Sequence, residues 1–464
     1  MLIRKEKVQY DWLIIASYFS LILIGSLAIY AVTFPQNIDK TIFDLSAPIS
    51  RHLLFLVIAL SLFSICLLVD WKVWHNFSYI IYAFSIALLI LVLLIGSEIK
   101  GAKAWIEFGG FSIQPSELAK LGTALALSSF LSFHKTNLKY RNYQLIAIGI
   151  IALPMFFILM QPDAGSAITF LAFFIVLYIE GLNTFYYVLA FLFLTVFILS
   201  FLFPFYYILF GLLFIALCMV WFYKKNFSYN ISLLVVSLCV SILLEYLFPL
   251  MYYSVGFTAI VLFIMLIFVW KERNERISII AVILIAILSF FSFATMEVFK
   301  SLEPHQQERI KVWLKPSECD PRGSLYNVLQ SKVAIGSGGL VGKGFLEGNM
   351  TKFKYVPEQS TDFIFSTIGE EQGFIGCVLV IGIFILLIYR TLSISASAPH
   401  KFISYYASCI AGLLIIHMSI NIGMTIGLFP IIGIPLPFIS KGGTALISFS
   451  MMLGILLRMQ THAK

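Results

Sequence analysis

The sequence predicts an all-α polytopic membrane protein with about 14 transmembrane helices, and three observations carry that expectation. Apolar residues make up 60% of 464 and charged residues 12%, with a mean hydropathy of +0.97, a balance that one soluble core of this length cannot bury. Apolar runs of roughly 20 residues, long enough to cross a hydrocarbon layer, recur along the chain. Lys and Arg gather in alternate connections between those runs.

The basic head Met1–Lys7 leads into an apolar stretch from Trp12 to Phe34 with no small-residue cleavage site, so it reads as a first span and not as a removable leader. Further spans are predicted near 52–69, 77–96, 116–133, 143–160 and 164–181, then 183–202, 206–223, 230–248, 252–270 and 277–295, and finally 363–389, 402–424 and 441–458. Lys72, the Lys135–Arg141 cluster, Lys224 with Lys225, the Lys271–Arg276 cluster, Arg390 with Lys401, and Arg458 then share one side. The positive-inside rule makes that side the cytoplasm and puts both termini there. Topology therefore accounts for the net charge of +8, and no nucleic-acid partner is expected.

The opposite face receives Glu98–Gln114, the Gln161-Pro162-Asp163 turn, and a large extracytoplasmic loop at about 299–362. A connection of that length is functional or disordered, and its aromatics and glycines favour an ordered cover over a substrate. Among the six cysteines, Cys66, Cys218, Cys239, Cys377 and Cys409 lie in apolar stretches and Cys319 stands alone in a polar one, so neither a disulfide framework nor a zinc site is indicated.

The loop holds Glu318-Cys319-Asp320-Pro321-Arg322-Gly323, then Gln330, Ser331 and Lys332, then the glycine run Gly336–Gly344 with Lys343. A carboxylate at a Pro/Gly turn near two lysines suits proton abstraction beside an anionic leaving group; an Asp that merely caps a turn is the competing explanation. A phosphate-binding loop needs Gly where Ser337 stands and Ser or Thr where Gly344 stands, and Val341 occupies the third glycine of a dinucleotide fingerprint. No nucleotide or haem is expected.

Pro115 opens a helix that carries Glu117 in its first turn and Lys120 three residues on along the same face, where a structural ion pair and a functional site are both open. Asp163 and Asp362 stand where spans begin and read as caps. Glu370 and Glu371 fall inside the predicted 363–389 span, where at least one must face protein or water. Asn421–Gly443, with Pro430, Pro435 and Pro437, reads as a broken or re-entrant element lining a cavity.

These segments resemble the SEDS family, which includes the RodA and FtsW proteins, over residues about 10–181 and 277–460. The landmarks are Gly101–Glu107, Gln114–Lys120, Gln161–Gly165, Asp320–Gly344, Val356-Pro357-Glu358, Thr361–Phe365 with Gly369-Glu370-Glu371, and Gly433–Phe438. Gly433–Phe438 and Gly342-Lys343-Gly344 look more like RodA. The resemblance implies a ten-helix core at 1–181 and 277–464, with about four extra helices inserted at 182–276. It also implies a peptidoglycan polymerase acting on lipid II among the membrane lipids, with Asp320 as the catalytic carboxylate and a class B penicillin-binding protein as partner. Candidate substrate-binding positions are Lys103, Trp105, Gln114, Ser116, Glu117, Lys120, Asp163, Gln330, Ser331, Lys332, Lys343, Glu358, Asp362 and Glu371. A divalent cation, magnesium or manganese, is a candidate cofactor. A lipid II flippase and a noncatalytic scaffold for the penicillin-binding protein are the rival readings. The sequence departs from the family at Ala104, Ser360 and Lys441, where Arg, His and Tyr are usual, and Lys103 is placed to supply the missing charge.

Overall fold

The computed structural model describes residues 10–37, 48–99, 101–108, 111–134, 136–204, 207–208, 211–212, 276–302, 304–320 and 323–461. The chain forms two compact units, Met1–Asn183 with Asp320–Lys464, and Thr184–Cys319. The predicted spans at 206–223, 230–248 and 252–270 lie almost wholly outside the described residues.

The first unit opens with α1 (Trp12–Asn37), α2 (Pro48–Leu68), the short α3 (Trp71–Asn76) and α4 (Ser78–Ile95). Strands β1 (Ser97–Ile99), β2 (Ala102–Phe108) and β3 (Phe111–Ile113) follow, then α5 (Pro115–Ser132), α6 (Arg141–Met160), α7 (Ala164–Thr169) and α8 (Ala172–Ile179). The second unit holds α9 (Thr184–Leu202), α10 (Arg276–Ser301), α11 (Pro304–Leu314) and a 3-10 turn, Pro316–Glu318. It packs Val196, Ile208, Leu212 and Leu288 together, with Phe193 edge-on to Phe291. The first unit resumes with α12 (Ser324–Ser337), α13 (Asn349–Lys352), α14 (Ile364–Glu371), α15 (Gly373–Ser397), α16 (Lys401–Thr425) and α17 (Gly443–Gln460).

Eight helices among the described residues are long and apolar enough to cross a membrane, against the 14 or so expected over the whole chain. They are not equivalent. The windows in α16 and α17 are 72% and 78% buried, while those in α2, α4 and α6 are 22% buried. Helix α5 is nearly all buried but too polar to count among the eight, so α5, α16 and α17 form the inner layer. Polar side chains belong on such inner helices, where protein supplies the partners that lipid cannot.

Three expectations need correction. The fold is mostly helical but not all-α: Glu98–Gln114 contains a three-stranded antiparallel sheet, ordered β1-β2-β3. Ser97 pairs with Trp105 and Ile106 with Ile113, and burial alternates along β2, with Ala104 and Ile106 inside and Glu107 out. The single helix expected at 164–181 is interrupted between α7 and α8. The span expected at 363–389 breaks at Gln372, so Glu370 and Glu371 end a short helix ahead of the span Gly373–Ser397.

The glycine run explains that break. Lys343 and Gly344 donate their amides to the carbonyls of Glu370 and Glu371, both at 3.0 Å, and Phe374 and Ile375 donate to Gly339 and Leu340 at 2.9 and 3.1 Å. A Cβ on Gly338 would lie 2.0 Å from the Gly369 carbonyl oxygen, and one on Gly342 2.0 Å from that of Glu371. The glycines are there for backbone-to-backbone packing.

Candidate active site

Pro115 at the first turn of α5 places Glu117 and Lys120 on one buried face. The Lys120 ammonium lies 2.8 Å from Glu117 Oε1 and 3.0 Å from His417 Nε2 on α16. His417 Nδ1 is 3.0 Å from the Pro435 carbonyl oxygen. A carbonyl only accepts, so the ring donates from Nδ1 and presents its Nε2 lone pair to the ammonium, a neutral tautomer fixed from both sides. Ser448 on α17 donates to the Glu117 carbonyl at 2.7 Å, and the Phe449 ring centroid is 5.6 Å from the ammonium. Glu117 Oε2 has no hydrogen-bond partner among the described residues. Three inner helices and the Pro435 segment therefore meet at one cation.

A second polar knot adjoins it in sequence. Gln114 Nε2 donates to Asp163 Oδ2 at 3.0 Å and to Ser166 Oγ at 3.1 Å, while its amide reaches Thr444 Oγ1 at 3.2 Å. Asp163 caps α7 as expected, accepting from the Ser166 amide at 2.9 Å, and Ser116 Oγ lies 3.3 Å from Ser166 Oγ. Gln114, Ser116 and Asp163 are thus brought together.

The other positions are dispersed. The Lys103 ammonium donates to the Leu93 and Leu94 carbonyls at 3.0 and 3.3 Å, closing the C-terminal end of α4. Trp105, on β2, is half-buried opposite Ser97. Ser331 donates to the Thr425 carbonyl at 2.9 Å, Gln330 is half-buried, and Lys332 is exposed beside Gly427. Glu358 is exposed. Asp362 does not cap α14, correcting the expectation: Phe363 holds the cap position, and the Asp362 carbonyl accepts from Asn421 Nδ2 at 3.0 Å.

Adjacent carboxylates on α14 differ sharply. Glu370 Oε1 accepts from the Lys343 ammonium at 2.8 Å and the Met350 amide at 2.9 Å; its Oε2 accepts from the Thr351 amide and hydroxyl at 2.9 and 2.8 Å. Burial raises the Glu370 pKa, but those four donors outweigh it and hold the group below the ordinary carboxylate value. Neither Glu371 oxygen has a well-formed hydrogen bond among the described residues. Burial, reinforced by the Glu370 charge, pushes Glu371 up to about 7, with only partial relief from the Leu346 amide and Gln372.

Asp320 is exposed, just beyond the 3-10 turn, with its carbonyl accepting from the Gly323 amide at 3.1 Å. An exposed carboxylate at a turn is within reach of an incoming hydroxyl. Among the described residues no group of three or more His, Cys, Asp and Glu side chains is placed to hold a metal ion. Sequence reasoning missed His417, Ser166, Thr444 and Ser448; for His417 the signal was there, an ionisable group inside the apolar stretch 402–424.

The profile of the cell cycle proteins FtsW, RodA and SpoVE matches residues 11–210 and 209–464. The chain is 30% identical to the peptidoglycan glycosyltransferase RodA of Treponema pallidum, over 97% of both chains. It is 28% identical to the peptidoglycan glycosyltransferase MrdB of Escherichia coli K12, over 85% of this chain and 80% of that one, and 28% identical to the stage V sporulation protein E of Bacillus subtilis over 99% of each. A chain from a structure on the coordination of polymerization and crosslinking by a peptidoglycan synthase complex superposes with a TM-score of 0.62 at 24% identity, covering 98% of both chains. The rod shape determining protein RodA of Thermus thermophilus superposes at 0.55 and 21% identity, covering 98% of this chain and 97% of that one. Both superpositions speak for the fold.

Proposed function

Because the chain belongs to the FtsW, RodA and SpoVE family of cell cycle proteins, we propose that it is a peptidoglycan glycosyltransferase that polymerises lipid II into glycan strands for cell elongation. The observation that carries this is the match, over nearly the whole chain, to relatives named as peptidoglycan glycosyltransferases. The enzyme is a multi-pass protein of the cytoplasmic membrane, with both termini in the cytoplasm and the segment 299–362 at the outer face. Positively charged connections such as Arg390 with Lys401 support that orientation.

In the proposed reaction Asp320 removes the proton from the acceptor sugar hydroxyl. The oxygen attacks the anomeric carbon of a second lipid-linked sugar with inversion, and undecaprenyl pyrophosphate leaves. A diphosphate leaving group needs little acid assistance, so one base suffices. General-base catalysis supplies about 10²- to 10⁴-fold, and positioning and charge stabilisation supply the rest. Of the lysines considered, Lys103 is engaged with helix carbonyls, Lys120 with Glu117 and His417, and Lys343 with Glu370. Exposed Lys332 is the best placed of the four to meet the diphosphate. A class B penicillin-binding protein crosslinks the product strand.

One observation favours a rival: a buried Glu117–Lys120–His417 cluster also suits a path through the membrane for a lipid-linked precursor. The purified chain, alone and with a class B penicillin-binding protein, incubated with lipid II and run on a gel, separates the two. A ladder of glycan strands supports the glycosyltransferase. Its absence even with the partner moves the case to a flippase or scaffold.

A further inference from the structure

The glycine run contributes to the proposed reaction only through Lys343, which Glu370 already occupies. Its neighbours have another use. We propose that Gly338–Tyr355 is a membrane-interface anchor, in which Leu340 and Val341 enter the hydrocarbon edge while Lys352 and Lys354 meet anionic phospholipid headgroups.

The depth of the segment is fixed by backbone bonds. The Gly339 and Leu340 carbonyls accept from Phe374 and Ile375, the first turn of the span Gly373–Ser397. Leu340 and Val341 are 70% and 76% exposed, and Phe374 and Ile375 beside them are 61% and 59% exposed. Val378 and Leu379, one turn further along, continue the exposed apolar stripe down the span. In a helix that crosses a membrane such a stripe meets lipid wherever no partner helix covers it, and two apolar side chains tied to its first turn then share that lipid. In water they would extend an apolar patch with nothing over it.

The other end of the segment lies at the same end of the bundle. The Phe345 ring stacks on Tyr30 near the end of α1, with centroids 6.4 Å apart, and α13 also contacts α1. Next comes Lys352-Phe353-Lys354-Tyr355, four consecutive exposed residues, with the Phe353 and Tyr355 rings 6.1 Å apart. Aromatic rings favour the headgroup layer, and lysines there are attracted to lipid phosphates of net negative charge. The anchor follows α12 directly, so it sets the height of the segment that begins at Asp320.

The test uses the full-length chain with its six cysteines replaced and a nitroxide on Val341→Cys or Phe353→Cys. It is reconstituted in phosphatidylcholine vesicles with or without phosphatidylglycerol. The expected result at position 341 is more frequent collision with oxygen than with a water-soluble nickel chelate. At 353 the label should move deeper when phosphatidylglycerol is added, and Lys352→Glu with Lys354→Glu should abolish that shift. Greater chelate access at 341, or a 353 label indifferent to phosphatidylglycerol, overturns the proposal. A second measurement needs no cysteine replacement: trypsin should cut the unaltered chain after Lys352 and Lys354 more slowly in the anionic vesicles, and equal rates count against the anchor. Neither readout uses polymer formation, so each stands if the glycosyltransferase assignment fails.

Discussion

Glu117, Lys120 and His417 are buried among inner helices and bonded to one another, whereas Asp320 stands exposed at a turn. The first region is preorganised: its charges hold α5, α16 and the Pro435 segment in one arrangement, and removing either charge strands the other. The second is at the surface, where water screens a charge and its removal costs the fold less. Buried charge here should therefore register as stability and exposed charge as chemistry.

Lys120→Met leaves Glu117 buried without a counter-charge and should cost about 3–5 kcal/mol, read as a large fall in thermal midpoint of the purified protein. Adding Glu117→Gln to it should recover much of the loss. A single variant that melts like wild type breaks the comparison.

Glu371→Gln comes next, and its effect depends on pH. The folded-state pKa of Glu371 is raised to about 7, above its ordinary value, so its contribution is fully present in acid and is lost as pH rises through about 7. The glutamine variant should gain on wild type by roughly 1–3 kcal/mol at pH 8 and by little at pH 4. Equal gains at both pH values remove the buried acid from the account. Glu370 behaves oppositely: its lowered pKa gives stability present at neutral pH and lost in acid.

Asp163→Ala removes the α7 cap together with the bond from Gln114, a cost of about 1–2 kcal/mol. A neutral result by chemical or thermal denaturation would mean the second knot contributes nothing. Lys332→Gln should leave stability within about 0.5 kcal/mol while lowering polymerisation measurably; unchanged turnover of lipid II would remove this lysine from the diphosphate site.

What was legible in the sequence follows the reach of local geometry. Glu117 and Lys120 sit three residues apart, so helical periodicity alone pairs them, and Asp163 caps the helix that starts after it. His417 comes to Lys120 from 297 residues away, and Ser448 to Glu117 from 331, distances at which no spacing rule speaks. The break at Gln372 was hidden for the same reason. Its local sequence mixes Ser366, Thr367, the two acids and Gln372 into a long apolar stretch without a proline, and the interruption coincides with the Gly338–Gly344 backbone docking from outside. The sheet escaped because its strands are of three, seven and three residues, and the alternation in β2 is short beside the long apolar runs on either side.

Asp320→Asn, with stability and lipid II polymerisation measured on the same preparation, tests the central contrast most directly. The account predicts a thermal midpoint indistinguishable from wild type and no glycan strands on the gel. Strands formed at the wild-type rate by this variant would contradict the assignment of Asp320 as the base, and with it the division of labour between the buried cluster and the exposed carboxylate.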